Sequence, residues 1–104
     1  MTKINQPFTM GIWKARAGRE EEFISAWSEF ASWTSKNIQH SGTGYLLRHS
    51  EDSQLFYSFG GWDNEDTIRE WRNSDEFKKF VEKIKNLCED FKPNSLKLVA
   101  FAGN

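Results

Sequence analysis

The chain has 104 residues, which is the size of one domain, and 15% of them are aromatic. Its formal net charge of -1 provides no surplus of positive charge for binding nucleic acid or an anionic membrane. A mean hydropathy of -0.73 and the lack of a long apolar run exclude a membrane-spanning helix, and a single cysteine excludes an intrachain disulfide.

The first residues, MTKINQPFTM, lack the apolar core of a signal peptide, and a lone cysteine suits a reducing compartment. We therefore expect a cytoplasmic protein whose single domain spans residues 1–104, with a folded core over about 8–102. The chain holds nine Phe, five Trp and two Tyr. So many rings in a small domain predict a large apolar cavity or a large subunit interface in addition to a core.

The first half of the chain predicts a strand, a helix and two further strands. Residues 8–14 alternate in side-chain character as a strand does, and residues 19–36 carry apolar side chains at helical spacing. The apolar stripe of this helix consists of Phe23, Trp27, Phe30 and Thr34. Residues 43–50 and 54–62 alternate again, which predicts two strands joined by a polar turn at 51–53.

The second half of the chain predicts two consecutive helices. Asp63 stands in the N-cap position of a short helix over 64–72, and Ser74 caps a longer helix that continues to about Asp90. Pro93, which lacks a backbone N–H, is predicted to end the longer helix.

With a last strand over 95–102, the predicted order is β-α-β-β-α-β with the second helix broken in two. This is the ferredoxin-like split unit, an α+β fold in which helices cover one face of an antiparallel four-stranded sheet. The face away from the helices also carries rings and aliphatic side chains. We therefore expect a second copy of the chain to bury that face in a homodimer.

Nearly the whole chain, from about residue 8 to 102, resembles the antibiotic biosynthesis monooxygenase family, whose members are dimeric α+β barrels. The likeness lies in GIWK at 11–14 with Ala17-Gly18, in GTGY at 42–45 and most strongly in WDNEDTIREWRNSDEF at 62–77. The resemblance implies a barrel closed across the dimer, with a pocket between sheet and helices in each subunit. It also implies oxidation of a phenolic or quinol-like aromatic small molecule by O2 without a metal, flavin or other cofactor.

This chemistry has a clear physical requirement. An electron-rich phenolate can reduce O2 itself if the protein holds it, favours its anion and excludes water. The pocket must then be apolar and aromatic, with a few polar groups that orient the ring and move a proton.

Other relatives of this fold degrade haem, and the chain resembles that branch at Trp71. The branch also has a His haem ligand about ten positions later, where this chain has Val81, and an Asn on the first strand, where residues 8–14 have none. We therefore expect no haem degradation.

We predict two catalytic residues, His49 and Tyr57. His49 would accept a phenolic proton near neutral pH, and Tyr57 would orient the substrate. The predicted substrate-binding residues are Trp62, Trp71, Trp13, Trp27 and Arg48. Two histidines are too few for a credible metal cluster, so we predict no metal site.

Each of these assignments has a simpler structural alternative. His49 could be a solvated histidine at a strand end, the tryptophans could be core rings, and Arg48 could pair with a surface acid. The corresponding alternative function is a non-catalytic, ligand-binding or stress-associated dimer of the same fold. A cavity lined by both His49 and a tryptophan would favour catalysis, and a closed, ring-filled interior would favour the alternative.

Overall fold

Seven segments of regular structure follow one another in the computed structural model, which describes residues 2–103. They are β1 (Pro7–Ala15), α1 (Glu20–Asn37), β2 (Ser41–Arg48), β3 (Leu55–Trp62), α2 (Glu65–Asn73), α3 (Asp75–Asn86) and β4 (Cys88–Lys97). The strands form one antiparallel sheet in the order β2–β3–β1–β4. This is the predicted α+β, ferredoxin-like fold, with the second helix divided into α2 and α3. Within residues 2–103, no helix has the length and apolar character needed to cross a membrane.

Helices cover one face of the sheet, where alternate residues of β1 and β3 are buried. Trp13 on β1 lies opposite Phe56 on β3 and Phe91 on β4, so the three side chains share this face. Phe23 of α1 and Ile84 of α3 pack against it and are fully buried. The core therefore lies between the sheet and the helices α1 and α3.

Aromatic rings make up much of this core. The ring of Phe23 lies 4.7 Å from that of Phe56 and 5.6 Å from that of Trp13, measured between centroids. Trp13 in turn stacks on Phe91 at 3.8 Å. Such offset or tilted pairs contribute about 0.5–1.5 kcal/mol each beyond the area that they bury. Part of the aromatic excess in the composition is thus explained by the core itself.

The N-cap of α2 is Asn64, whereas the sequence pattern predicted Asp63. The side-chain oxygen of Asn64 accepts a hydrogen bond from the Thr67 backbone N–H at 2.9 Å and from its hydroxyl at 3.0 Å. Asp63 instead approaches Nδ1 of His40 at 3.1 Å. Asp and Asn are equally good caps, so composition could not separate these neighbours. Ser74 caps α3 as predicted and accepts a backbone N–H from three residues further on at 3.2 Å.

The boundary between α3 and β4 differs from the prediction. The apolar pattern predicted a helix to about Asp90, but α3 ends at Asn86 and β4 begins at Cys88. The physical reason is pairing with β1, because Cys88 lies opposite Ala15 where the ladder shifts register after Lys14. Tertiary pairing has overridden a locally plausible helical stripe.

Pro93 consequently lies inside β4 and does not end a helix. It stands opposite Gly11 on β1, and β4 is an edge strand of the sheet. An edge strand tolerates a residue without a backbone N–H, because the backbone groups on the outer side of the strand have no neighbouring strand to bond. The strand predicted over 95–102 therefore begins earlier, at Cys88, and ends earlier, at Lys97.

The second face of the sheet has no covering element among residues 2–103. It carries Tyr45 and Leu47 of β2, which are 50% and 52% exposed, and Leu96 of β4, which is 45% exposed. Tyr57 and Phe59 of β3 lie opposite Leu47 and Tyr45 on the same face. A contiguous apolar surface of this kind is typical of an interaction site.

Cys88 is buried at the start of β4, and burial raises the pKa of its thiol to about 11. Because only the thiolate reacts, we expect a disulfide reagent at pH 8 to label the native protein about 100-fold more slowly than the urea-unfolded chain. The absorbance of the released thiol, followed at one reagent concentration, measures the labelling rates of the native and the unfolded protein. Equal rates would mean that the β1–β4 edge opens readily.

Candidate functional site

A cavity of about 890 Å³ lies between the helices and the sheet face that they cover. All seven helices and strands contribute to its lining, so the whole fold positions it. Its volume falls within the range of about 300–1,000 Å³ that is common for small-molecule sites. Four of the predicted binding residues line it, namely Trp13, Trp27, Trp62 and Trp71.

Trp71 is held in the wall of the cavity by three neighbouring rings. Its ring is parallel to that of Phe30, with 7° between the planes and 5.5 Å between the centroids. Trp62 and Phe77 each approach it at 4.6 Å. Trp71 is thus both a core ring and a wall of the cavity, which combines the two roles considered from the sequence.

Three indole N–H groups of the cavity donate to three hydroxyls that also line it. Trp13 donates to Ser58 at 2.9 Å, Trp62 donates to Thr9 at 3.0 Å, and Trp71 donates to Thr34 at 2.9 Å. A buried indole N–H needs such a partner. These bonds fix the ring planes, so the cavity walls are preorganised.

Gly11 makes room for one of these pairs. A Cβ at this position would lie 2.8 Å from Trp13 Nε1 and 2.9 Å from Ser58 Oγ, which is closer than van der Waals contact allows. Glycine therefore lets the backbone of β1 approach the bond between Trp13 and Ser58.

Two charged side chains, Arg72 of α2 and Lys85 of α3, line the cavity among the residues that the structure describes. Arg72 Nη2 donates to Ser95 Oγ of β4 at 3.2 Å, which holds the guanidinium across the gap between α2 and the sheet. Neither cation forms an ion pair with another side chain of residues 2–103. No Asp, Glu or His belongs to the described lining, so both of its charged side chains are positive.

The structure does not bring His49 to the cavity, contrary to the expectation that it lies there with a tryptophan. His49 follows the end of β2 and lies in the turn to β3. Its Nδ1 accepts the backbone N–H of Glu51 at 3.0 Å. In the neutral ring the proton is then on Nε2, so the nitrogen that could accept a proton is already engaged. The location corresponds to the simpler alternative of a strand-end histidine.

Tyr57 and Arg48 also lie away from the cavity. Tyr57 stands opposite Ile12 on β1, on the uncovered face of the sheet. Arg48 donates to Glu21 of α1 at 3.0 Å, and its Cζ lies 4.9 Å from the centroid of the Phe56 ring. Strand alternation explains the position of Tyr57, because its neighbours Phe56 and Ser58 point to the covered face. Arg48 stands opposite Phe56 on the covered face, but at the end of β2, where it pairs with Glu21.

Sequence reasoning missed the three hydroxyls and the two cations. Thr34 and Ser58 gave a usable signal, since each is a polar residue at a buried position of an apolar pattern. Arg72 and Lys85 gave no such signal in the sequence, because many of the residues on both of these helices are charged. Only the packing of α2 and α3 on the sheet decides which charges reach the cavity.

A metal centre has no support in the part of the chain that the structure describes. No group of three or more His, Cys, Asp or Glu side chains is placed there to hold a metal ion.

Comparison with known proteins adds independent information. Residues 9–83 match the family described as antibiotic biosynthesis monooxygenase, which is most of the chain. No curated protein sequence matches the chain.

Solved structures of similar fold come from distant sequences. A mutant form of SnoaB, a cofactor-independent oxygenase from Streptomyces nogalater, superposes with a TM-score of 0.88 at 13% identity, covering 96% of this chain and 99% of that one. PA3566 from Pseudomonas aeruginosa superposes with a TM-score of 0.76 at 20% identity, covering 95% of this chain and 100% of that one. A conserved protein from Methanosarcina mazei Go1 superposes with a TM-score of 0.77 at 10% identity, covering 90% of this chain and 94% of that one. At these identities the likeness establishes the fold.

Proposed function

We propose, from the premise that this chain belongs to the antibiotic biosynthesis monooxygenase family, that it oxidises an aromatic, phenolic or quinol-like small molecule with O2 and without a cofactor. One observation carries the proposal. The cavity combines four tryptophan walls with hydroxyl donors and cations, and its described lining includes no carboxylate. Such a site suits a flat ring whose oxygens are electron-rich.

The proposed reaction uses the substrate as its own reductant. An anionic aromatic passes one electron to O2, and the resulting substrate radical and superoxide combine to form a carbon–oxygen bond. Loss of water from the hydroperoxide then leaves a second carbonyl, so a ring C–H, a phenolic O–H and O2 become the two C=O groups of a quinone and H2O. The protein would contribute by holding the ring, excluding water and stabilising the anion.

Named residues can take each of these roles. Trp62 and Trp71 would hold the substrate ring, because their own planes are fixed by the bonds to Thr9 and Thr34. Arg72 would stabilise the negative charge on the substrate from its position at the end of α2.

Proton removal is the step for which we predicted His49. Since His49 lies outside the cavity, we expect its replacement by alanine to leave turnover unchanged, with the anion formed in solution and selected on binding. A large loss of turnover in His49→Ala would restore His49 as the base and require a second conformation of the turn.

We also propose a homodimer in which two copies bury the uncovered face that carries Tyr45 and Leu47. Light scattering at micromolar concentration should give about twice the 12.2 kDa chain mass. Leu47→Glu should shift that mass toward the monomer, because it places a charge within the apolar surface. A monomeric wild-type protein would contradict the proposal.

A non-catalytic ligand-binding role is the second candidate. The absence of a carboxylate or histidine from the described lining favours it, because such a lining provides no conventional proton acceptor.

O2 uptake by the metal-free protein, measured with an electrode against a panel of hydroquinones and polyphenols, separates the two candidates. We expect protein-dependent uptake that His49→Ala retains. Saturable binding of panel compounds without any uptake would instead support the ligand-binding role.

A further inference from the structure

The floor of the cavity is made of small residues from one edge of the sheet to the other. One row of paired residues crosses all four strands and lines the cavity throughout, and from β2 to β4 it consists of Gly44, Gly60, Thr9 and Ser95. Neighbouring strands lie about 4.8 Å apart, so the row is about 14 Å long. None of its side chains is larger than that of threonine, so the floor does not divide the cavity.

The solvent-exposed residues of the lining form two groups at opposite edges of the sheet. The first group, which we call the β2 mouth, consists of Ser32 and Ser35 of α1 with Gly42, Thr43 and Gly44 of β2. The second group, the β4 mouth, consists of Lys85 of α3 with Pro93, Asn94 and Ser95 of β4. Every other lining residue among 2–103 is buried or half-buried. Since β2 and β4 are the two edge strands, the cavity reaches solvent at both edges.

The β2 mouth has no long or charged side chain. It lies at a bulge, where Gly42 and Thr43 together stand opposite Gly61 of β3. A Cβ at Gly42 would collide with the carbonyl oxygen of Gly61, so only glycine fits there. Just before the bulge, Ser41 Oγ donates to the Ile38 carbonyl at 3.0 Å, which holds the start of β2. The rim of this mouth is therefore fixed by backbone contacts and is bare of bulky groups.

The β4 mouth is crossed by a hydrogen bond. Arg72 Nη2 of α2 donates to Ser95 Oγ of β4 at 3.2 Å, so a half-buried guanidinium spans the gap between the helix and the sheet. Lys85 adds a second long side chain at the same edge. Both cations of the described lining thus lie at the β4 mouth, opposite the uncharged β2 mouth.

We propose that ligands enter and leave the cavity through the β2 mouth and that the bond between Arg72 and Ser95 closes the β4 mouth to them. A negative charge on an entering ligand is drawn toward Arg72 at the far, closed end. Side chains at the β2 mouth then control the rates of exchange, whereas the tryptophan walls control affinity. The inference rests on the proposed function only for the choice of the cavity as the ligand site. Its test measures binding rates without turnover, so the two proposals can fail separately.

Bulk introduced at one mouth at a time tests the route. Stopped-flow fluorescence with 1-anilinonaphthalene-8-sulfonate gives association and dissociation rate constants, and the phase that belongs to the cavity is the one that Trp71→Ala abolishes. Ser35→Trp should lower both constants about tenfold and leave the Kd within about twofold, because a ring at the entrance hinders passage without contacting the bound dye. Ser35→Ala adds no bulk and should exchange dye at wild-type rates.

Two variants at the other edge complete the design. Pro93→Trp places the same ring at the β4 mouth and should leave both rate constants within about twofold of the wild type. Ser95→Ala removes the bond to Arg72 and should open the second route, so in the Ser35→Trp background it should raise both constants at least about threefold. Circular dichroism and the unfolding midpoint show whether each variant is folded. Thr43→Trp repeats the test from β2 if Ser35→Trp disturbs α1.

The outcomes are distinct. Wild-type rates in both Ser35→Trp and Thr43→Trp, or equal slowing in Pro93→Trp, would overturn the inference. The absence of a saturable phase that depends on Trp71 would overturn it as well. If Ser95→Ala failed to restore exchange, the bond to Arg72 would not be what closes the β4 mouth. Rates that change as expected without any O2 uptake would preserve the access route and remove the proposed oxygenase activity.

Discussion

Replacement of Trp71 by alanine is expected to raise the Kd of a bound hydroquinone or polyphenol at least about 100-fold and to abolish its protein-dependent O2 uptake. Trp71 contacts Phe30, Phe77 and Trp62 within the wall of the cavity. Its loss removes one wall of the site and releases Thr34 from the indole N–H. Calorimetry and an oxygen electrode provide the two measurements.

Trp33→Ala is the matched control for this prediction. Trp33 lies on α1 and packs on Phe80 with 5.7 Å between ring centroids, but it does not line the cavity. It should therefore lower stability without changing the Kd. Equal loss of binding in the two variants would mean that Trp71 acts through the fold as a whole and not as a wall of the site.

Phe23→Ala is expected to lower the free energy of unfolding by about 3–5 kcal/mol. Phe23 is fully buried and contacts both Trp13 and Phe56, so its removal leaves a cavity that these rings cannot refill. Because domains have only about 5–15 kcal/mol of stability, this loss is a large share of the total free energy of unfolding. Urea denaturation followed by tryptophan fluorescence measures the change.

Phe23→Leu provides the comparison, with an expected loss of about 1.5 kcal/mol or less because most of the volume is kept. Phe23 does not line the cavity, so Phe23→Leu should bind ligand with wild-type affinity. Similar losses in the two variants would show that the core collapses around the vacated space.

Much of the fold could be predicted from hydrophobic periodicity alone. The bounds of β1, α1 and β3 lie within one residue of the prediction, and those of β2 within two, because each has an unambiguous period. The end of α3 could not be predicted in this way. Leu87, Cys88 and Phe91 continue its apolar stripe, yet they are taken up by the turn and by pairing with β1. That pairing is a contact between residues more than seventy positions apart.

The site was less predictable than the fold. Tryptophans could be assigned to a cavity, because large rings in excess of core needs are visible in the composition. His49 and Tyr57 were chosen for their chemistry, but the faces of β2 and β3 were not fixed by the sequence, since both carry apolar residues. A shift of one position along a strand reverses the face on which a side chain lies. The hydroxyl partners depend on contacts between different elements, which no local pattern contains.

The division of the aromatic core into two parts has a consequence for how the protein can change over generations. Phe23 and Phe56 do not line the cavity, whereas Phe30 and Phe77 belong to the core and to the cavity wall at once. Substitutions of the first pair act mainly on the stability of the fold, whereas those of the second pair alter both its stability and the range of ligands that the cavity accepts. Laboratory evolution of new selectivity should therefore first accumulate stabilising changes near Phe23, and then diversify small wall residues such as Ala31.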